Sequence, residues 1–144
     1  MRTEKGFTLL ELLIVLFLIT LLLGIAAVSL SSSLPASKVN ATAREIVATL
    51  KHARSLALMS GEEQVLSLDL DARRYGIEGK AFRTFPADID IRIATPLAGE
   101  VRSGTYRVVF RPMGAADAGT IIVSNEKRTV RIEADPVAGA VRLK

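Results

Sequence analysis

Near its start the chain reads Phe7-Thr-Leu-Leu-Glu-Leu-Leu-Ile-Val-Leu-Phe-Leu-Ile-Thr-Leu-Leu-Leu-Gly-Ile-Ala-Ala-Val-Ser-Leu30, and Glu11 carries the only charge in this run. The run contains no proline. As a helix of about 24 residues it would extend roughly 36 Å, enough to cross the apolar core of a bilayer. Arg2 and Lys5 precede it, with Glu4 as the only opposing charge. Because a basic flank stays in the cytoplasm, the sequence predicts a membrane-spanning segment at residues 7–30 with the rest of the chain exported.

Glu11 needs an explanation, because a carboxylate in the middle of a bilayer costs on the order of 2.5–3.5 kcal/mol. A plain signal anchor accounts for the apolar run and its basic flank but not for Glu11. A conventional signal peptide could be cut after Ala26, where Gly24-Ile25-Ala26 has the small-x-small pattern. The apolar run is longer than the apolar region of a signal peptide, which usually has about 7–15 residues, and it contains the acid.

The residues Gly6-Phe7-Thr8-Leu9-Leu10-Glu11 resemble the processing site of type IV prepilins. That family has a short basic leader ending in glycine, then phenylalanine at the first mature position and glutamate at the fifth. The resemblance implies that the prepilin peptidase, a membrane aspartyl enzyme, cuts between Gly6 and Phe7 on the cytoplasmic side. It also implies that the peptidase methylates the new amino group of Phe7. Residues 1–6, with the leader charges Arg2 and Lys5, would then be removed while the apolar helix stays attached.

Cleavage at this bond would give Glu11 a physical role. The charged amino group of Phe7 would be held among apolar helices. In a filament of staggered subunits, a carboxylate one helical turn away can lie beside a neighbour's amino group, so that neither charge is buried without a partner. The first turn of a helix also favours a carboxylate. An acid that merely snorkels to the membrane interface would explain why Glu11 is tolerated but not its position after Phe7.

Composition limits the exported part of the chain. Its 144 residues suggest one domain in addition to the anchor. The chain has no cysteine, which excludes disulfides, a thiol nucleophile and thiolate metal ligands. The net charge of +4 falls by one when residues 1–6 are removed. Such a mild excess permits weak attraction to anionic lipid or nucleic acid but does not indicate it.

After the apolar run the pattern changes to that of an amphipathic helix. Pro35 is expected to disturb or end the first helix, or to lie in the first turn of a second one. Apolar residues then recur at spacings of four and three up to Ser60-Gly61, where glycine suits a helix C-terminus. We therefore expect one long helix, spanning the membrane at 7–30 and amphipathic at 31–60, with a bend near Ser31–Pro35. Its predicted core face is Val39, Ala43, Ile46, Leu50, Ala53 and Ala57.

Residues 61–144 change to a period of two, which is typical of half-buried strands. This pattern predicts an α+β fold in which the long N-terminal helix packs on an antiparallel β-sheet or a small β-sandwich. Residues 95–104 are predicted to form a polar loop. The seven predicted strands are 66–70, 75–77, 89–93, 106–110, 120–124, 129–134 and 140–143.

The sequence provides no catalytic constellation. His52 is the only histidine, so a metal cluster is not expected, and a partly exposed structural histidine on the helix is the better interpretation. Asp69 and Asp71 lie two apart on a strand and are expected to form a solvated face rather than an acid–base pair. There is no nucleophile elbow and no glycine-rich phosphate loop. We therefore expect a protein that is not an enzyme and that holds no metal or cofactor.

The segments 110–114, 119–123, 130–132 and 139–143 resemble the C-terminal half of the H-type minor pseudopilins of type II secretion, the GspH family. That family typically has Phe-x-Pro-x-Gly, here Phe110 to Gly114, followed by a hairpin and a final glycine turn. Two departures separate the chain from major subunits. Val28 stands where those usually have proline, and the acidic calcium-binding loop of major pseudopilins is absent.

The resemblance implies a structural subunit that helps assemble or cap the pseudopilus, which drives folded proteins across the outer membrane. Its partners would be other major and minor pseudopilins, the prepilin peptidase, the inner-membrane assembly platform and inner-membrane lipid. Its localisation would be single-pass in the bacterial inner membrane, N-terminus cytoplasmic and domain periplasmic, with later extraction into the pseudopilus.

Two alternatives remain open at this point. One is a FimT-like minor type IV pilin with a role in pilus assembly or DNA uptake, and the other is a membrane-anchored periplasmic enzyme. Lys127, Arg128 and Arg131 form a small basic cluster near a strand turn. Because aromatic residues for base stacking are scarce there, a solvated hairpin is favoured over a nucleic-acid surface.

Overall fold

The computed structural model of this chain describes residues 6–96, 99–117 and 119–144, and for residues 26–34 of its helix it describes only the backbone. The chain divides into two compact units, one that ends at Leu34 and one that runs from Pro35 to Lys144. Arg2 and Lys5 lie outside the described residues, as does the side chain of Val28. The predicted boundaries of the leader and the membrane segment stay predictions.

The helical residues of both units belong to one helix, α1 (Leu9–Ser60). Pro35 lies inside α1 and does not end it, although proline removes one backbone hydrogen bond from a helix. The residues after Pro35 are held helical by the burial of one face. That face is the predicted one, because each of its six residues is no more than 1% exposed: Val39, Ala43, Ile46, Leu50, Ala53 and Ala57.

The described part of the second unit contains nine strands, all paired antiparallel. They form a four-stranded sheet in the order β3-β2-β1-β6 and a five-stranded sheet in the order β5-β4-β7-β8-β9. The strands are β1 (Gln64–Asp69), β2 (Arg74–Ile77), β3 (Arg83–Thr84), β4 (Asp90–Thr95), β5 (Gly99–Val101), β6 (Thr105–Phe110), β7 (Gly119–Ser124), β8 (Thr129–Ala134) and β9 (Val141–Leu143).

One apolar cluster joins α1 to both sheets. Leu66 and Leu68 of β1, Ile93 of β4 and Val123 of β7 are completely buried. The rings of Tyr75 and Phe85 stack with their centroids 4.8 Å apart. The predicted α+β fold is therefore confirmed, and two sheets rather than one share the helix.

Two strands were not predicted. β5 lies in the segment expected to be a polar loop and pairs with β4, Ile93 opposite Val101. β3 has two exposed residues and pairs with β2. Both are short edge strands held by backbone hydrogen bonds. They bury too few side chains to produce the alternation from which a strand is predicted.

Candidate processing and assembly site

Thr8 fixes where the helix begins. Its backbone carbonyl accepts a hydrogen bond from the Leu12 N–H at 3.2 Å, and its hydroxyl accepts one from the Glu11 N–H, also at 3.2 Å. A threonine at the N-cap with glutamate three residues later is the capping-box pattern, in which the side chain replaces a missing backbone partner. The Thr-x-x-Glu spacing of Thr8 and Glu11 is local, so the sequence alone contains this signal. The Thr8 side chain caps the helix through the backbone N–H of Glu11, while the role in assembly is predicted for the Glu11 carboxylate.

The Gly6–Phe7 bond lies before the helix. Phe7 is 79% exposed, and a Cβ atom added at Gly6 would meet none of the described residues within 4 Å. The described part of the chain therefore provides no internal reason for glycine at this position. A requirement for glycine would have to come from a molecule that acts on this bond.

The helix of the first unit carries an uncovered apolar surface. From Phe7 to Ile25 the large apolar side chains are between 41% and 79% exposed. The Thr20 hydroxyl lies 2.8 Å from the Phe17 carbonyl and 3.1 Å from that of Leu16, so it is satisfied within the helix. Among the described residues, no helix reaches the length and hydropathy of a membrane span. The predicted segment 7–30 also includes residues whose side chains lie outside that description.

Two glycines from the resembling segments meet in the second unit. Gly114 has a φ of +90° and Gly139 a φ of +59°. A Cβ atom added at Gly139 would collide with the carbonyl oxygen of Gly114 and lie 3.1 Å from Nε of Arg54 on α1. The Ala116 N–H donates to the Pro136 carbonyl at 3.2 Å and ties the two turns together. The glycine pair is therefore a contact between turns, packed against the helix.

Apolar side chains surround this contact at the surface. Gly114 lies next to Leu58, because a Cβ atom added there would be 3.9 Å from the leucine Cδ2. The neighbouring Met59, Met113 and Val137 are 82%, 95% and 83% exposed. We call Leu58, Met59, Met113 and Val137 the apolar end patch. Each of Met59, Met113 and Val137 lies within two residues, along the chain, of a residue in this contact, and a contiguous exposed apolar surface would be typical of a protein–protein contact.

The carboxylate of Asp135 organises the turn that leads to Gly139. It accepts hydrogen bonds from the Val137 N–H at 2.9 Å and the Ala138 N–H at 3.0 Å. The Ala138 hydrogen bond, followed by that of Val137, holds the pKa of Asp135 below its ordinary value. A carboxyl group with a lowered pKa stabilises the fold above its unfolded-state pKa, and that contribution is lost as the pH falls through the folded-state pKa.

Replacing Asp135 with asparagine should therefore destabilise the protein more at pH 7 than at pH 3, because the carboxylate begins to be lost below its ordinary pKa of 3.8. At neutral pH the variant keeps an acceptor oxygen but loses the charge that strengthens both hydrogen bonds. Urea unfolding of the full chain in detergent at both pH values measures this difference. Glu126→Gln, an equal charge change at an exposed position, is the control. A stability loss for Asp135→Asn that does not change with pH would contradict the role given to the charge.

The remaining polar residues considered as candidates are His52, Asp69 and Asp71. His52 is exposed on α1, and the described residues contain no group of ligands that could hold a metal ion. Asp69 and Asp71 each support a turn: Asp69 accepts from the Ala72 N–H at 2.8 Å, and Asp71 from the Gly104 N–H at 2.9 Å.

The basic cluster and one surface ion pair complete the survey. Lys127, Arg128 and Arg131 are exposed around the β7–β8 turn. The side-chain oxygen of Asn125 holds this turn by accepting from the N–H groups of Lys127 and Arg128. Lys38 donates to Asp88 at 2.9 Å, and this hydrogen bond lowers the pKa of the Asp88 carboxyl.

Comparison with known families gives the chain its place. Residues 1–27 match the family model of the prokaryotic N-terminal methylation motif. Residues 42–136, more than half of the chain, match that of type II transport protein GspH. The chain belongs to the GspH family. Three of the four resembling segments fall inside the GspH match, which ends before Gly139. The GspH family is a family of structural pseudopilins.

One curated protein and two solved structures are similar to this chain. Type II secretion system protein H of Xanthomonas campestris pv. campestris is 26% identical over 141 residues, which cover 98% of this chain and 83% of that protein. The fold is similar to that of EpsH, a minor pseudopilin of the type 2 secretion system of Vibrio cholerae. That likeness has a TM-score of 0.57 at 16% identity, over 74% of this chain and 96% of EpsH. The type IV minor pilin FimU of Pseudomonas aeruginosa gives 0.47 at 17% identity, over 73% of this chain and 91% of FimU.

Proposed function

We propose that this GspH-family chain is a minor pseudopilin of type II secretion. It would be a structural subunit that helps assemble or cap the pseudopilus, the filament that drives folded proteins across the outer membrane. The observation that carries this proposal is the helix surface of the first unit, whose large apolar side chains from Phe7 to Ile25 are left uncovered by the chain itself. A surface of this kind requires a cover from outside the chain.

Different molecules would surround this apolar helix surface before and after assembly. Before assembly, inner-membrane lipid would surround the helix, with the N-terminus in the cytoplasm and the second unit in the periplasm. After extraction into the pseudopilus, the helices of other major and minor pseudopilins would replace the lipid, and the inner-membrane assembly platform would effect the exchange. The apolar end patch supports a further subunit contact in the periplasm.

Deletion of this chain from its native organism tests the proposal. Folded substrates of the type II pathway should then accumulate in the periplasm, and the full chain supplied in trans should restore their appearance in the medium. Normal secretion without the chain would refute the proposal.

Processing at the N-terminus is part of the proposed function. The match to the methylation motif supports cleavage between Gly6 and Phe7, as does the position of both residues before the helix. The prepilin peptidase would remove residues 1–6, including Arg2 and Lys5, and would methylate the amino group of Phe7. Glu11 would then lie one turn from the new N-terminus, where it can pair with the amino group of a neighbouring subunit.

The intact mass of membrane-extracted protein should therefore correspond to a chain that begins at N-methylated Phe7. Gly6→Ala should still be cut, because it adds a single methyl group where there is open space, whereas Gly6→Leu should remain uncut. A mature chain that begins at Ala27 would instead support a conventional signal peptide. Retention of Met1 in the wild-type protein would contradict processing altogether.

A further inference from the structure

A groove of about 320 Å³ lies between the exposed side of α1 and the segment from β2 to β3. Its lining combines apolar side chains with charged ones. Six lining residues are relevant to what the groove binds. They are Glu45, Ala48 and His52 from α1, and Ile77, Lys80 and Arg83 from the β2–β3 segment.

Among the residues that the structure describes, the cations of this groove form no ion pair with a carboxylate. Elsewhere in the second unit six basic side chains form ion pairs with carboxylates: Lys38, Arg74, Arg92, Arg107, Arg111 and Lys144. Lys80 and Arg83 form none with the described residues. The same is true of Arg44 and Lys51, which are exposed on α1. These two lie four residues before and three after Ala48, so they share its side of the helix.

Two carboxylates near the groove, those of Glu45 and Glu78, have partners within the chain. The carboxylate of Glu45 accepts a hydrogen bond from the Tyr75 hydroxyl at 3.3 Å. Burial, and after it the charge of Glu45, raise the pKa of Tyr75, so the hydroxyl stays protonated and remains a donor. Glu78 forms an ion pair with Arg107 at 2.9 Å. The described lining therefore carries two cations, Lys80 and Arg83, that form no ion pair with the described residues, against one carboxylate, that of Glu45.

We propose that this groove binds a carboxylate-rich segment of another protein of the pseudopilus. The inference rests on the proposed function for the identity of the assembly and on the groove for the chemistry of the segment. Acidic side chains would pair with Lys80 and Arg83, and small apolar side chains would pack on Ala48 and Ile77. Among the described lining residues His52 carries the only ring, and none is a phenylalanine, tyrosine or tryptophan. This scarcity of rings on which nucleic-acid bases could stack favours a polypeptide.

Photo-crosslinking in the native organism tests the inference. Benzoylphenylalanine is placed at Ala81, which lines the groove, in the full chain expressed in its membranes, and the adduct is mapped by mass spectrometry. We expect an adduct within an acidic segment of another pseudopilus protein. Lys80→Glu together with Arg83→Glu should lower its yield about tenfold or more, because like charges would then face each other. Lys127→Glu together with Arg128→Glu, an equal charge change outside the groove, should leave the yield within about twofold.

Several results would overturn the inference. These are an adduct to phospholipid or nucleic acid, an adduct to a neutral or basic protein segment, and an adduct no stronger than one from the exposed Ala72. Equal losses for the two double variants would show that net charge alone attracts the partner. Secretion is measured in the same cells. Normal secretion with the groove charges reversed and no adduct would refute the groove inference alone, whereas the deletion experiment decides the proposed function.

Discussion

Replacing Glu11 with leucine should abolish incorporation of this chain into the pseudopilus without preventing its membrane insertion or its cleavage at Gly6–Phe7. Insertion should be at least as efficient as for the wild type, because the variant removes the cost of an acid in an apolar span. Assembly should fail because the amino group of a neighbour's first residue would be buried without a counter-charge. Removing one partner of a buried ion pair costs on the order of 3–5 kcal/mol, which corresponds to a loss of a hundredfold or more in association.

A cysteine cross-link between the helices of adjacent pseudopilins, measured with cleavage in the same membranes, checks this expectation. Two further variants separate the charge of Glu11 from its place in the capping box. Glu11→Gln keeps a side chain suited to the box but removes the charge, so it should fail like Glu11→Leu. Thr8→Val removes the hydroxyl that caps the helix and keeps the charge, so it should still assemble.

The opposite pattern would assign Glu11 to helix initiation. In that case Glu11→Gln would cross-link normally and Thr8→Val would not. Normal cross-linking of Glu11→Leu would show that the acid is dispensable. Melting of the second unit should be unchanged in all three variants, because its core begins at Val39.

Replacing Gly139 with alanine should destabilise the second unit by about 3 kcal/mol or more, among the larger effects of single substitutions. The new Cβ atom would collide with the backbone oxygen of Gly114 and press on the half-buried side chain of Arg54. Because the first of these is backbone, the collision can be relieved only by moving a turn. The free energy of unfolding from urea titrations of the full chain in detergent measures the loss.

Gly61→Ala is the matched control for backbone strain. Gly61 has a φ of +69°, close to that of Gly139, and a Cβ atom there would have nothing within 4 Å. Its cost should therefore be confined to about 1–2 kcal/mol for the left-handed backbone. Equal losses for the two variants would mean that the contact with Gly114 contributes nothing beyond backbone conformation.

The sequence by itself determined the features that depend on neighbours along the chain. The buried face of α1 follows from the spacing of Val39, Ile46 and Leu50, since a helix brings such residues to one side. The seven predicted strands follow from alternation, because a sheet with one buried face sorts side chains by that period. The Gly6–Phe7 processing motif is also local, and the match to the methylation motif covers it.

Only the tertiary structure decided which residues that are far apart in the sequence come into contact. It divided the strands between two sheets and added β3 and β5 as edges. It brought Gly139 against Gly114. It also placed Lys80 and Arg83 across a groove from α1, where they form no ion pair with the described residues. Periodicity reports which side of an element is buried, but not which other element covers it. Those pairings are chosen by the packing of the whole core, and residues that meet at turns and edges leave no repeating pattern in the sequence.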